Sequence, residues 1–292
     1  IGGTVEPGFE GVLEAFAANF TEHGEVGAGF SLVVDGRTVV DLWGGVADNT
    51  TGAPYGPDTL QLVFSTTKGA TAILANRLAQ RGELDVDAPV SEYWPEFAQA
   101  GKDEIPVRWL LCHQAGLPFV DRDLGLGECL AWEPPVKALA AMTPIWEPGT
   151  AHGYHAVTYG WLVGEVIRRV TGRSVGQFFA DEVAGPLGIE FWIGLPDDQQ
   201  ARVAPLTNTG LDRQAPGMAA EAPGGEAQGM IEQLEALLGP GSLLIKALGG
   251  TSSLALAGNG VFNKPEVRSA ELPAANGVTN ARSLARMYAT VI

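Results

Sequence analysis

Two short stretches of this sequence combine side chains of the kinds that nucleophilic chemistry needs. In Leu60-Gln61-Leu62-Val63-Phe64-Ser65-Thr66-Thr67-Lys68-Gly69-Ala70 an apolar run leads into Ser65 at the start of a helical pattern, and Lys68 follows three residues on. On a helix that spacing places the two side chains on one face, with Cβ atoms about 5–6 Å apart. Lys68 is the only charged residue from Thr59 to Asn76, and the turns that follow are rich in alanine. An ammonium in such apolar surroundings is disfavoured, so its pKa falls from about 10.4 toward the range of a general base. A serine at the positive end of a helix is also where a nascent alkoxide gains most. The plainer reading is a helix-capping serine with a lysine reaching out along its stem, which an alanine-rich, buried-looking helix does not favour.

The second stretch is Trp146-Glu147-Pro148-Gly149-Thr150-Ala151-His152-Gly153-Tyr154-His155-Ala156. Its Pro-Gly turn delivers Tyr154 just ahead of a helix expected from Ala156, a place from which a phenol can point into a cleft. Beside a Ser/Lys pair, that phenol can act as a base or proton shuttle. A tyrosine taken alone is more often a buried structural residue with its hydroxyl bonded. The candidate catalytic residues are therefore Ser65, Lys68 and Tyr154. Rival chemistries lack their patterns: there is no Gly-x-Ser-x-Gly elbow, no His-Glu-x-x-His, no phosphate loop and no dinucleotide-binding glycine turn. His23, His113, His152 and His155 do not fall at metal-ligand spacing, so neither a metal nor a cofactor is expected.

Elements must hold these residues together. Phe9, Val12, Leu13, Phe16 and Phe20 predict an amphipathic helix over 8–22, and β-rich runs 28–34 and 37–43 flank Asp35-Gly36, a type I′ hairpin signal. Helical composition or periodicity then marks 65–81, 107–112, 156–171 and 175–183, with a loop over 144–153. A Gly/Pro/Ala-rich excursion over 210–250, broken by an amphipathic segment at 230–238, reads as a surface loop or a lid. A β-like run at 252–257 and a helix over 281–292 close the chain. This order predicts an α+β fold, with 1–64 and 251–292 forming a sheet domain and 65–250 a mostly helical one.

Composition narrows the partners. The 292 residues are 46% hydrophobic and 18% charged, against about 25% charged in an average soluble protein. With 18 basic and 34 acidic side chains the net charge is −16, so nucleic acid is not an expected partner. No apolar run is long enough to span a bilayer and no basic-then-apolar leader opens the chain, so a cytoplasmic enzyme is expected. Cys112 and Cys129 read as two buried thiols, and nothing in the pattern bears on oligomeric state.

At these residues the chain resembles the serine β-lactamase and penicillin-binding-protein superfamily, and within it the family VIII carboxylesterases with a class C β-lactamase fold. Besides Ser65-Thr66-Thr67-Lys68 and Tyr154, the likeness rests on Asp41-Leu42-Trp43-Gly44-Gly45, Leu110 to Leu117, Trp146 to Gly149, Pro186-Leu187-Gly188, Pro273 to Gly277 and Ser283 to Met287. It implies an antiparallel sheet flanked by helices, a mostly helical domain beside it, and an active site between the two. It also implies a Ser65 acyl-enzyme, with Lys68 and Tyr154 moving protons, the Ser65 N–H as one oxyanion donor and His113 as structural. Where β-lactamases of this fold carry Tyr-x-Asn, this chain has Tyr154-His155-Ala156, which weakens amide recognition and favours ester substrates over penicillins. The family's third motif would follow the helix that reaches Ile292, so the strands completing the sheet, with the second oxyanion donor, are expected beyond that point. The expected activity is hydrolysis of short-chain or small aromatic esters, with weak β-lactam hydrolysis as a side activity. The alternatives are a β-lactamase or D-amino-acid peptidase, an acyltransferase on the same site, and a non-catalytic binding module. Phe64, Phe119 and Trp146 are candidates to line the substrate pockets.

Overall fold

The computed structural model describes residues 1–207, 239, 242–249 and 258–291. Strands β2 (Gly27–Val34) and β3 (Arg37–Asp48) form the expected antiparallel hairpin. Its turn residues Asp35 and Gly36 sit at φ +48° and +74°, the left-handed pair that a type I′ turn requires. Helix α1 (Glu10–Thr21) lays Val12, Phe16 and Phe20 against Val39, Val40 and Leu42, so the sheet and its covering helix share one small core.

Two features of this sheet lie outside the sequence reading. Strand β1 (Gly2–Val5) pairs antiparallel with β3, Gly2 facing Trp43, although two glycines and no apolar alternation gave it no signal. The close pairing explains the glycine: a Cβ at Gly3 would lie 2.0 Å from the Asp41 carbonyl oxygen. Strand β3 also runs past Trp43 to Asp48, and a two-residue β4 (Ala53–Pro54) pairs with its end. The order is β1-β3-β2, with β4 on β3.

A second antiparallel sheet, β5 (Gln61–Leu62), β6 (Phe191–Trp192) and β7 (Val278–Thr279) in the order β5-β7-β6, joins segments far apart in sequence. It delivers the chain to Ser65 on one side and holds the residues preceding β7 on the other. Beyond it, helices α2 (Thr67–Gln80) and α3 (Thr158–Thr171) are buried along much of their length and pack against each other. Leu74, Leu78, Trp161, Leu162 and Ile167 belong to one large core with the rest of the helical half.

The helix boundaries differ from the expected ones for local reasons. Helix α2 starts at Thr67 rather than Ser65, because residues 63–66 form a tight turn whose amides bond three residues back, as Thr66 N–H does to Val63 O at 3.1 Å. Helix α3 starts at Thr158, after the turn that carries Tyr154. The segment expected as a helix over 175–183 is α4 (Val175–Phe179), capped by Ser174, followed by a wider π turn over Ala180–Ala184. The last helix, α5 (Ala281–Ala289), is capped by the Asn280 side chain, which accepts from Ser283 N–H at 2.9 Å, and stops short of 292.

Within the Gly/Pro-rich excursion, Leu243–Gly249 is helical; 230–238, the β-like run 252–257 and most of 210–250 lie outside the described residues. Cys129 is buried, but Cys112 is exposed, at the end of the short helix Val107–Leu111, which corrects the expectation of two buried thiols; neither is part of a disulfide. Among the described residues no helix is long and apolar enough to cross a membrane.

Candidate active site

Ser65 stands at a sharp corner between β5 and α2. Phe64 is held at φ +40°, a left-handed value uncommon for an aromatic residue, and this turns the chain so that Ser65 is exposed. Its backbone N–H has no hydrogen-bond partner among the described residues. The corner is braced from below. Thr67 Oγ1 donates to Phe64 O at 2.5 Å and accepts from Gly277 N–H at 2.8 Å, while Val63 N–H donates to Gly277 O at 2.9 Å.

Lys68 lies one turn into this arrangement and is buried, 9% exposed. Its Nζ is 3.1 Å from Ser65 Oγ, 2.6 Å from the carbonyl oxygen of Ala156 and 3.0 Å from that of Ala274. No carboxylate pairs with it among the described residues. Burial without a counter-charge pushes its pKa down to about 7.

The two carbonyls decide what the amine can do. Each only accepts, so together they take two N–H bonds. In the neutral amine the remaining direction, toward Ser65 Oγ, carries the lone pair.

Tyr154 closes the group from the other side. Its hydroxyl is 2.7 Å from Ser65 Oγ, and Lys68 Nζ lies 4.8 Å from the centre of its ring. The structure thus brings together Ser65, Lys68 and Tyr154, although Tyr154 is 89 residues from Ser65 in sequence.

The other residues singled out from sequence fall around this group. Phe64 is 37% exposed beside Ser65 and meets Phe262 edge to face at 5.1 Å. Trp146 packs edge to face on His155 at 5.9 Å, and Phe119 is part-buried against the helical core. His113 is half-buried behind Tyr154, its ring 5.0 Å from the tyrosine ring, and desolvation with the nearby Lys68 and His152 charges pushes its pKa down to about 4. Among the described residues no three His, Cys, Asp or Glu side chains gather as a metal site. A cleft of about 430 Å³ between β2 and β5 is lined by Tyr55, Gln61, Val63 and Asn280, and by none of the three clustered residues.

The sequence profile of the beta-lactamase family matches residues 12–291. The chain belongs to the beta-lactamase family. It is 36% identical, over 99% of its own length, to a Mycobacterium tuberculosis protein named "Esterase/beta-lactamase LipL", and spans 64% of that relative. Among solved structures it is similar to a family VIII carboxylesterase, with a TM-score of 0.83, 38% identity, and coverage of 99% of this chain and 71% of that one. A penicillin-binding protein homologue from Caulobacter crescentus gives a TM-score of 0.81 at 38% identity, covering 98% of this chain and 69% of that one. A class C β-lactamase from Rhodobacter sphaeroides, at 22% identity and a TM-score of 0.59, covering 94% of this chain and 63% of that one, shares the fold.

Within this β-lactamase-family fold, the sequence reading missed the residues that serve through their backbone. The strap 272–277 supplies the Ala274 carbonyl to Lys68 and is fixed by Asn276. The Asn276 Oδ1 accepts from Leu272 N–H at 2.9 Å, and its Nδ2 donates to the carbonyls of Val267 and Ala270 at 2.8 and 2.5 Å. Thr71 Oγ1 ties the strap to α2 by donating to Pro273 O at 2.7 Å. The Asn276-Gly277 dipeptide in an otherwise apolar run was the available signal, because a buried asparagine there needs partners.

Proposed function

We propose that this protein is a serine hydrolase that cleaves carboxylic esters of short-chain or small aromatic acids through an acyl-enzyme on Ser65. The observation that carries this reading is the aim of the Lys68 lone pair. With two carbonyls holding its N–H bonds and burial keeping it neutral above about pH 7, the amine faces the Ser65 hydroxyl as a base.

Lys68 takes the Ser65 proton as Oγ attacks the ester carbonyl, and the negative charge develops on the carbonyl oxygen. The free Ser65 N–H is one donor for that oxyanion. Collapse of the tetrahedral adduct breaks the bond to the alcohol oxygen, and Tyr154 delivers the proton that this oxygen needs. The proton held by Lys68 makes good the loss at Tyr154. Water then attacks the acyl-enzyme, loses a proton to the same pair, and releases the acid and the Ser65 hydroxyl. Another alcohol in place of water makes the same site an acyltransferase.

Preference for esters over β-lactams is supported by Ala156. At a position where the family's β-lactamases carry an amide side chain, this chain has a methyl group, and it turns its backbone carbonyl to Lys68. Phe64 and Phe262 add an aromatic wall next to Ser65, suited to apolar acyl or alcohol groups. The deciding experiment compares turnover of p-nitrophenyl butyrate and nitrocefin by the unsubstituted chain and by Ser65→Ala. We expect the ester to be the far better substrate and Ser65→Ala to lower its kcat by about 10³-fold or more. Ester hydrolysis unchanged in Ser65→Ala, or nitrocefin turned over faster, contradicts the reading.

A further inference from the structure

Resting on that reading, we propose that His155 is a positioning residue for the site: its imidazole holds the turn that presents Tyr154 to Ser65. Tyr154 precedes α3 by four residues, so no helical register sets its direction. Its two flanking residues do so instead. On one side Gly153 N–H donates to His113 O at 3.1 Å; on the other, His155 N–H donates to His113 Nδ1 at 3.1 Å. The His155 ring then locks both sides together. Its Nδ1–H donates to Gly153 O at 2.6 Å, and its Nε2 accepts from Leu117 N–H at 3.0 Å.

The two histidines hold complementary tautomers. His155 must carry its proton on Nδ1, because a carbonyl faces that atom and an N–H faces Nε2. His113 must carry its proton on Nε2, because the His155 N–H faces its Nδ1. A second proton on either ring would set a donor against a donor. Burial keeps both neutral, with pKa values pushed down to about 4, and His155 is wholly buried. The His113 ring lies 5.0 Å from the Tyr154 ring, and Lys68 Nζ lies 4.8 Å from that ring's centre.

Filling the core needs only volume, which a leucine or methionine supplies. What His155 adds is one donor and one acceptor spent on the immediate neighbour of Tyr154 and on the 113–117 segment. Buried and bonded on both ring nitrogens, it has no contact to offer a substrate, so its loss acts on the chemical step through the Tyr154 hydroxyl.

The test uses the full chain with His155→Gln, which can keep one donor and one acceptor, and His155→Ala, which keeps neither. Steady-state hydrolysis of p-nitrophenyl butyrate is counted per Ser65 labelled at saturation by a fluorophosphonate, so unfolded protein does not contribute. Displacing a proton-transfer group by about 1 Å can cost about 10²-fold. We therefore expect kcat in His155→Ala to fall by about 10–100-fold, with KM within about threefold, and His155→Gln to recover part of that loss. Should His155→Ala not fold, a lowered kcat at unchanged KM in His155→Gln supports the inference by itself. An unchanged kcat per labelled site, or a loss that appears in KM, overturns the inference. If Ser65→Ala still hydrolyses the ester, the serine-hydrolase reading fails and takes this inference with it. If Ser65→Ala is inactive while both His155 variants match the unsubstituted chain, this inference alone is wrong.

Discussion

Lys68 Nζ lies 3.1 Å from Ser65 Oγ while the carbonyl oxygens of Ala156 and Ala274 occupy its other two directions, at 2.6 and 3.0 Å. The acceptors come from two distant segments, 88 and 206 residues away in sequence. The fold thus fixes not only where the amine is but which way its lone pair points.

Activity should follow the protonation of Lys68. Its pKa, pushed down to about 7 by burial, places the neutral form above that pH. We expect kcat/KM for an ester to fall about tenfold per pH unit below it and to level off above it. Lys68→Met should remove that limb and lower kcat/KM by about 10²–10⁴-fold. A pH–rate profile of both chains checks this.

The same burial predicts a stability effect with a definite sign. Between about pH 7, where folded Lys68 titrates, and about 10.5, where it titrates when unfolded, the unfolded chain binds more protons. Burying this lysine therefore costs most below pH 7, and the cost disappears as pH rises through that window. Thermal midpoints of the unsubstituted chain should gain on those of Lys68→Met from pH 7 to pH 10. A constant difference would show that the lysine is not desolvated.

Gly160, in α3, should not tolerate a methyl group. Alanine in a helix is normally favoured over glycine by about 1 kcal/mol. Here a Cβ would lie 2.7 Å from the Ala274 backbone nitrogen, so either the strap holding Lys68 must move or the helix must. We expect Gly160→Ala to destabilise by about 1–3 kcal/mol in urea denaturation. Ester turnover should drop as well, because the Ala274 carbonyl moves with the strap.

Asn276→Ala removes three hydrogen bonds made by a wholly buried side chain. The stranded Leu272 N–H and the two carbonyls should cost about 2–4 kcal/mol in all, read by the same denaturation. Asn276→Asp, which keeps the acceptor but offers the carbonyls an oxygen, should fare no better.

How much of this was legible in the sequence depends on whether a feature lives in side-chain type or in backbone position. The Asp35-Gly36 hairpin and the α1 stripe were legible because turn chemistry and apolar period are local. Ser65, Lys68 and Tyr154 were legible as types, and the structure places them within reach of one another. Strands β1, β5, β6 and β7 were not legible: each is two to four residues long and exists only through pairing with a distant partner. Nor could the carbonyls of Ala156 and Ala274 be read, since an alanine announces nothing about its oxygen. Nothing in the sequence marks His155, which does not fall at metal-ligand spacing with the other histidines, because its bonds run to backbone groups of residues 153 and 117.

The central claim is that a neutral Lys68 activates Ser65. Its most direct test is the rate of fluorophosphonate modification as a function of pH, with the adduct mapped by peptide mass. We expect modification at Ser65, with a rate that rises through an apparent pKa near 7 and loses that rise in Lys68→Met. An adduct on another residue, or a Ser65 rate indifferent to pH across that range, would contradict it.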